Sequence, residues 1–352
     1  MEKIPAAIIG LGRIASLLED DPLREKPCTH AGALAAGPDC FIAAGADLDA
    51  ERRRLFAERY RCPVYADAAD MLRAHHPQIL VIAAHPDSRE GYCRLAASFG
   101  VPVVICEKPL ADTLKAARNI AELHRKGPIK ILTNHERRYS ADYLKAKDIL
   151  EKKTLGPLLA VRACLYMGKT RRILDVLWHD GTHLVDALMF LTNSRMRHQK
   201  TWGEKLTGRR GTAFLAGRLE PNGPAAFIDP LKKIDRPEPV PPKGIPFLIE
   251  LGAERDHLVF ELEFSCVQGR LRIGNGIFEV WESGASPYAE GFRSLKKSCG
   301  AFEGPTGYFV NMMADAAACL RDRDRQPRSS AVDGLLVTEY LNKVKPWGRR
   351  PV

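Results

Sequence analysis

Val101-Pro102-Val103-Val104-Ile105-Cys106-Glu107-Lys108-Pro109-Leu110 is the stretch that decides how this chain folds. Four of its first five residues are β-branched (Val101, Val103, Val104, Ile105) and the apolar run ends at Cys106, as in a strand buried on both faces. Glu107 and Lys108 follow at once, and Pro109 opens the next segment. In an open α/β sheet, ligands bind outside the carboxyl ends of the strands, so a carboxylate and an ammonium stand where a bound molecule would lie. A surface ion pair with Pro109 as a helix-opening residue is the competing reading of the same three residues.

Toward the N-terminus, Ile4 to Ile9 is a short apolar strand that runs into Gly10-Leu11-Gly12-Arg13-Ile14-Ala15. In this GxGxxA turn the first glycine makes the bend, the second lets backbone approach a pyrophosphate, and the small last residue lets a helix pack closely. The anion is expected at the N-terminus of that helix. Gly10, Gly12, Arg13 and Ile14 are therefore candidate cofactor contacts. The second strand, Phe41 to Ala46, ends at Asp47, an acid suited to accept hydrogen bonds from both adenosine ribose hydroxyls and to repel the 2′-phosphate of NADP. NAD is favoured, although Arg52, Arg53 and Arg54 one turn further on leave NADP open. Asp47 lies further from the glycines than the roughly 20 residues expected. The excess is Leu17 to His30, LLEDDPLREKPCTH, which reads as a long loop before a helix beginning near Ala31. Thr29 and His30 either reach the ligand from this loop or serve as a helix cap and a surface histidine.

Strand and helix patterns alternate onward from there. Ala50 to Tyr60 reads as a helix, Pro63 to Tyr65 as a brief strand and Asp70 to Ala74 as a short helix. Gln78 to Ala84 reads as a strand ending at His85, Ser88 to Phe99 as a helix, Leu110 to Lys126 as another, and Ile129 to Thr133 as a last strand with Asn134 at its tip. Such alternation with short links implies a parallel, right-handed sheet with helices on both faces, a doubly wound Rossmann domain. His85 and Asn134 join Glu107 and Lys108 as strand-end candidates for the cofactor site.

From about Gly156 the texture changes. Strand patterns at Leu158 to Met167, Gly211 to Leu219, Phe247 to Gly252, His257 to Phe264, Gly269 to Ile273 and Ile277 to Trp281 suggest a large open, mostly antiparallel sheet. The expected division is 1–134 for the dinucleotide-binding domain and 135–352 for an α/β substrate-binding and oligomerisation domain. Asp229 to Pro246 reads as an exposed excursion, and Tyr308 to Arg321 and Ala331 to Val344 as closing helices.

Composition narrows the function classes. Of 352 residues, 45% are hydrophobic and 27% charged, as in an ordinary globular protein, and no apolar run is long enough to span a bilayer. The net charge of +10 suits anionic ligands, but it is dispersed and aromatics are only 7%, so no nucleic-acid or membrane partner is expected. Nine cysteines without a CxxC pair, and an opening MEKIPAAIIGLG that enters a strand instead of a signal peptide, point to the cytoplasm.

With the Gly10 turn, Asp47, the Glu107-Lys108-Pro109 run and Asn134 in this order, the chain resembles the Gfo/Idh/MocA oxidoreductases, named for glucose-fructose oxidoreductase and inositol dehydrogenase. The resemblance implies a Rossmann domain joined to a C-terminal domain whose open sheet forms one wall of the substrate site and often an oligomer interface, here a homodimer or homotetramer. It implies that Lys108 lies beside the nicotinamide and the substrate hydroxyl, and that the closing helices pack on the substrate domain. The family's DxGxH run corresponds to His179-Asp180-Gly181-Thr182-His183, with His179 at the aspartate position and an acid one residue later. Either Asp180 reaches the site or His179 takes over a polar substrate contact. Arg89 stands where many members carry a histidine.

Oxidising a secondary alcohol requires a hydride acceptor, a base and a positive group at the developing alkoxide. His183 suits the base, Lys108 the positive charge and Glu107 the orientation of Lys108, although a buried Lys108 could itself carry the proton. His179 and His183 at i, i+4 could instead share a helix face and hold a metal, but no third ligand or HExxH run accompanies them, and no metal is expected. Arg171, Arg172, Arg137, Arg138 and Tyr139 could hold a carboxylate or phosphate on the substrate, or be surface charge. The expected activity is NAD-dependent hydride transfer to or from a secondary hydroxyl or ketone of a small carbohydrate-like molecule: a sugar, cyclitol or derivative, anionic and nucleotide-linked ones included. The alternatives are a nicotinamide-binding sensor or partner-binding protein with a drifted site, and an enzyme that uses NAD transiently for elimination or hydrolysis.

Overall fold

The computed structural model describes residues 3–168, 172–221 and 244–344. The apolar runs of the first third fold as read: β1 (Ile4–Ile9), α1 (His30–Ala36), β2 (Cys40–Ala46), α2 (Ala50–Tyr60), β3 (Val64–Tyr65), α3 (Ala68–His75), β4 (Ile79–Ile82), α4 (Arg89–Ser98), β5 (Val103–Cys106), α5 (Leu114–Lys126) and β6 (Lys130–Thr133). The six strands form one parallel sheet in the order β3-β2-β1-β4-β5-β6. That order reverses between β1 and β4, the switch point at which dinucleotides bind in such sheets. Side chains of β4 and β5 are buried without exception, which is why their sequences are apolar without alternation.

The delay expected before a helix beginning near Ala31 is present after the first turn. No α-helix follows Gly10–Ala15 directly; residues 13–16 are turns, Leu17–Asp20 is a 3-10 helix, and the first α-helix waits until His30. The charged insertion supplies the delay, and it is tied down. Arg59 grips the Asp20 carboxylate at 2.7 Å, and Glu25 accepts the backbone N–H groups of Thr306 and Gly307 at 2.8 and 2.9 Å.

The rest of the chain forms α6 (Ala141–Glu151), β7 (Leu158–Tyr166), α7 (Ile173–His179), α8 (Gly181–Thr192), β8 (Ser194–Gly203), β9 (Gly211–Pro221), β10 (Ile245–Ala253), β11 (Val259–Cys266), β12 (Gly269–Gly274), β13 (Ile277–Ala285), β14 (Arg293–Cys299), α9 (Tyr308–Arg321) and α10 (Ala331–Val344). The eight strands make a second sheet, β14-β13-β12-β11-β7-β10-β9-β8, antiparallel throughout except for the β7–β10 pair. The open, mostly antiparallel sheet expected from the sequence is therefore present, with two further strands, β8 and β14, at its edges. Most of the expected excursion at Asp229 to Pro246 lies outside the described residues. The nearly all-apolar α8 buries Leu184, Val185, Leu188 and Leu191 in this unit, whose sheet contributes Val161, Leu165, Ile249, Leu262 and Phe264 to the core.

Two compact units result, Met1–Ala141 with Pro305–Thr338, and Asp142–Gly304 with Glu339–Val352. The first thus takes in a return segment that a division at residue 134 leaves in the second. Phe309, Met312, Met313 and Ala316 of α9 sit in one core with Ile8, Leu34, Val81 and Ile105. The expectation that both closing helices pack on the substrate domain is corrected for α9: its apolar stripe completes the core of the Rossmann unit.

Candidate active site

The turn after β1 is built for close approach. Gly10 has φ +85°, and a methyl group there would lie 2.8 Å from the Ala83 carbonyl carbon and the Ala84 nitrogen. Only glycine fits a left-handed backbone pressed against another chain segment. Its N–H donates to the Ala46 carbonyl at 2.8 Å, while the Leu11 N–H donates to Asp47 Oδ2 at 2.7 Å. Asp47 Oδ1 accepts the Asp49 N–H at 2.9 Å, so the acid is fixed at the β2 end, its side chain 8% exposed. Arg13 is exposed and Ile14 packs on the core.

The second element is the turn after β5. Glu107 is buried there, and its Oε1 lies 2.8 Å from His30 Nε2 and accepts the Asn134 side-chain N–H. Its Oε2 accepts the Lys108 backbone N–H at 3.1 Å. Burial, the largest single influence, pushes this carboxyl up. The His30 hydrogen bond and charge, the Arg89 charge and the Asn134 hydrogen bond together outweigh burial and hold it at about 2, so Glu107 is a buried anion. The neighbouring Lys108 is half-buried.

Arg89 closes the turn from the other side. Nearly buried at the start of α4, it donates to the Ala84 carbonyl at 3.0 Å, to the Glu107 carbonyl at 2.7 Å and to the Pro109 carbonyl. Three carbonyls from two strand ends are thus gathered on one guanidinium, whose fork of five donors suits the task. Thr29 caps α1 through the Gly32 N–H at 3.0 Å, as its competing reading had it. His30, in contrast, is neither at the surface nor reaching outward, because it is spent on Glu107. His85 is exposed at the end of β4.

In the second unit, Arg172 caps α7 and grips Asp175 through two contacts of 2.9 Å, which hold that carboxyl below its ordinary range. Arg171 lies outside the described residues. His179 is the exposed last residue of α7; Asp180 separates the helices, and Gly181 and His183 belong to the first turn of α8. The two histidines therefore do not share one continuous helix face. Among the described residues, no group of three or more His, Cys, Asp or Glu is placed to hold a metal.

Arg137, Arg138 and Tyr139 are drawn inside the first unit. Arg137 meets Glu136 at 3.1 Å, Arg138 meets Asp333 at 3.0 Å, and the buried Tyr139 hydroxyl donates to Asp315 Oδ2 at 3.1 Å while accepting the Ser329 N–H. The Arg138 and Tyr139 contacts pin the return segment to the turn after β6, whereas that of Arg137 is local. Two contributors escaped sequence reasoning, His30 as the partner of Glu107 and Arg89 as the clamp. The signal available for Arg89 was an arginine one helix before an acid-lysine-proline turn, too general to interpret.

The residues fit a dinucleotide. A turn whose first two glycines carry no side chain lies at the switch point, a fixed acid ends β2, and the buried Asn134 Oδ1 and His30 Nδ1 have no hydrogen-bond partner among the described residues. Sheet order and turn together define a Rossmann dinucleotide-binding protein. Comparison with known proteins sharpens the class: the model of the GFO_IDH_MocA oxidoreductase family, described as its NAD-binding Rossmann fold, matches residues 4–135. The match covers the Rossmann domain and does not extend to the unit built on the eight-stranded sheet.

It is 32% identical over 120 residues to inositol 2-dehydrogenase of Rubrobacter xylanophilus, covering 34% of each chain. It is 26% identical over 215 residues to inositol 2-dehydrogenase/D-chiro-inositol 3-dehydrogenase of Shouchella clausii, covering 58% of this chain and 57% of that one. The chain thus spans from a third to somewhat over half the length of these relatives. UDP-N-acetylglucosamine 3-dehydrogenase from Acidithiobacillus ferrooxidans shares the fold, with a TM-score of 0.73 over 98% of this chain and 97% of that one at 16% identity.

Proposed function

We propose that this chain is a NAD-dependent dehydrogenase that transfers a hydride between nicotinamide and a secondary hydroxyl or ketone of a sugar, cyclitol or sugar derivative, anionic or nucleotide-linked ones included. One observation carries the reading: a buried anion, Glu107, fixes the turn bearing Lys108 at the carboxyl end of β5, next to the strand against which the Gly10 turn is pressed. NAD, when bound, supplies the hydride acceptor. The residues assigned to hold it are Gly10, Gly12, Arg13, Ile14, Asp47, His85, Glu107, Lys108 and Asn134. The Lys108 ammonium places positive charge where an alkoxide develops, and His183 holds and moves the hydroxyl proton. His179, Asp180 and Arg172 are assigned to polar substrate contacts. The inositol dehydrogenases among the relatives support a polyhydroxylated substrate.

The test is a turnover screen of cyclitols, sugars and sugar nucleotides with the parent protein, Lys108→Ala and His183→Ala. Lys108→Ala is expected to abolish turnover while largely retaining dinucleotide binding, since it removes one of several contacts to NAD; unchanged turnover would remove Lys108 from the mechanism. A rival reading as a nicotinamide-binding sensor draws on His179 standing where the family carries an acid, and it expects dinucleotide binding with no hydride transfer to any polyol. The same proposal includes a homodimer or homotetramer built on the eight-stranded sheet and a cytoplasmic location, the first of which sedimentation measures directly. Among the described residues, no helix is long and apolar enough to cross a membrane.

A further inference from the structure

Three consecutive arginines open α2, and the structure gives each a different task. Arg53 turns back onto the Asp47 and Leu48 carbonyls at 2.7 and 2.9 Å, and Arg54 is held on the helix surface by Glu51 and Glu58. Both are spent on local contacts. Arg52 points elsewhere: its Nη1 lies 3.7 Å from Asp47 Oδ2, and a methyl group built on Gly12 would lie 3.7 Å from the same nitrogen. Its guanidinium therefore spans from the acid at the β2 end to the second glycine of the turn, with the side chain half exposed. The remaining charge near it is Asp49 Oδ2, at 4.0 Å from Nε.

We infer that Arg52 is a specificity-determining residue that lets this site take the 2′-phosphorylated dinucleotide, NADP, as well as NAD. This rests on the dinucleotide-binding reading proposed above and extends it to the second cofactor. An acid at the β2 end ordinarily excludes a 2′-phosphate by charge repulsion. Here the charge of Asp47 is already shared among the Leu11 N–H, the Asp49 N–H and the Arg52 guanidinium. A phosphate brought to the ribose edge meets a half-exposed guanidinium able to donate two parallel hydrogen bonds. NAD loses nothing by this, since each Asp47 oxygen keeps acceptor capacity for the ribose hydroxyls.

The experiment is a paired titration with NADH and NADPH, following nicotinamide fluorescence, on the parent protein, Arg52→Ala and Arg54→Ala. The parent is expected to bind NADPH within about tenfold of NADH. Arg52→Ala should weaken NADPH by about tenfold or more, the range of one charge-assisted hydrogen bond, and NADH by less than about threefold. Arg54→Ala, two positions along the same helix and turned away from Asp47, should leave both unchanged and so controls for a general loss of positive charge. Equal weakening of both dinucleotides by Arg52→Ala, or a parent that binds NADH and rejects NADPH, would overturn the inference while leaving the NAD reading intact. A parent that binds neither would overturn that reading first.

Discussion

His30 Nε2 and Glu107 Oε1 lie 2.8 Å apart with both side chains out of water, joining the end of the charged insertion to the turn that carries Lys108. Glu107 has a folded-state pKa of about 2 against an ordinary 4.5. A carboxyl depressed in this way contributes stability that is present above its unfolded value and is lost as pH falls from there through the folded value, here from 4.5 toward 2. The shift corresponds to about 3 kcal/mol at neutral pH. His30→Ala removes the leading stabilising partner and lets burial raise the folded-state value, so the variant should be less stable at neutral pH and should lose less stability than the parent as pH falls below 4.5. Urea midpoints measured across that range check this; superimposable profiles for parent and variant would refute it.

Arg89 gathers the Ala84, Glu107 and Pro109 carbonyls, and Arg89→Ala leaves all three without their donor. A cost of about 3 kcal/mol or more is expected from buried acceptors left unsatisfied. Because two of these carbonyls flank Lys108, kcat should fall more than KM rises. Arg89→Lys, which keeps the charge and loses the fork, should recover stability better than turnover.

Gly10→Ala forces a side chain into a backbone at φ +85° and 2.8 Å from the Ala83–Ala84 peptide. Destabilisation of about 2–3 kcal/mol is expected from the conformation and the clash together. Dinucleotide affinity should drop with it, as a calorimetric titration of the folded variant would register.

Tyr139→Phe removes the hydroxyl shared by Asp315 and the Ser329 N–H. Thermal stability should fall by about 1–2 kcal/mol. KM for the substrate should not move, since this residue ties the return segment to the Rossmann unit; a KM effect without a stability effect would restore the substrate role.

What the sequence made legible was local. Buried strands of a parallel sheet are apolar end to end, and the glycine turn, Asp47 and the Glu107-Lys108-Pro109 run each declare themselves within a few residues. The pairing of His30 with Glu107 spans 77 positions, and no pattern within either segment announces it. Similarly, the apolar stripe of α9 shows that one face is buried without showing that the Rossmann core covers it. Strands β8 and β14 were missed for a physical reason. Both are edge strands, and edges carry charges that discourage further pairing, so Arg195, Arg197 and Lys200 in one and Arg293, Lys296 and Lys297 in the other hide the alternation of a strand. The His179 run was recognisable in composition, but the helix break at Asp180 follows from backbone geometry that spacing alone does not fix.

Hydride transfer through the nicotinamide is tested most directly by following a label. The protein would be incubated with NAD and with cyclitols and sugars deuterated at their carbinol carbons, and the dinucleotide examined by mass spectrometry. Deuterium should appear in the reduced nicotinamide and be absent with Lys108→Ala. Substrate converted with no label passing through the dinucleotide, or label transfer indifferent to Lys108→Ala, would contradict the assignment of a dehydrogenase built on the turn after β5.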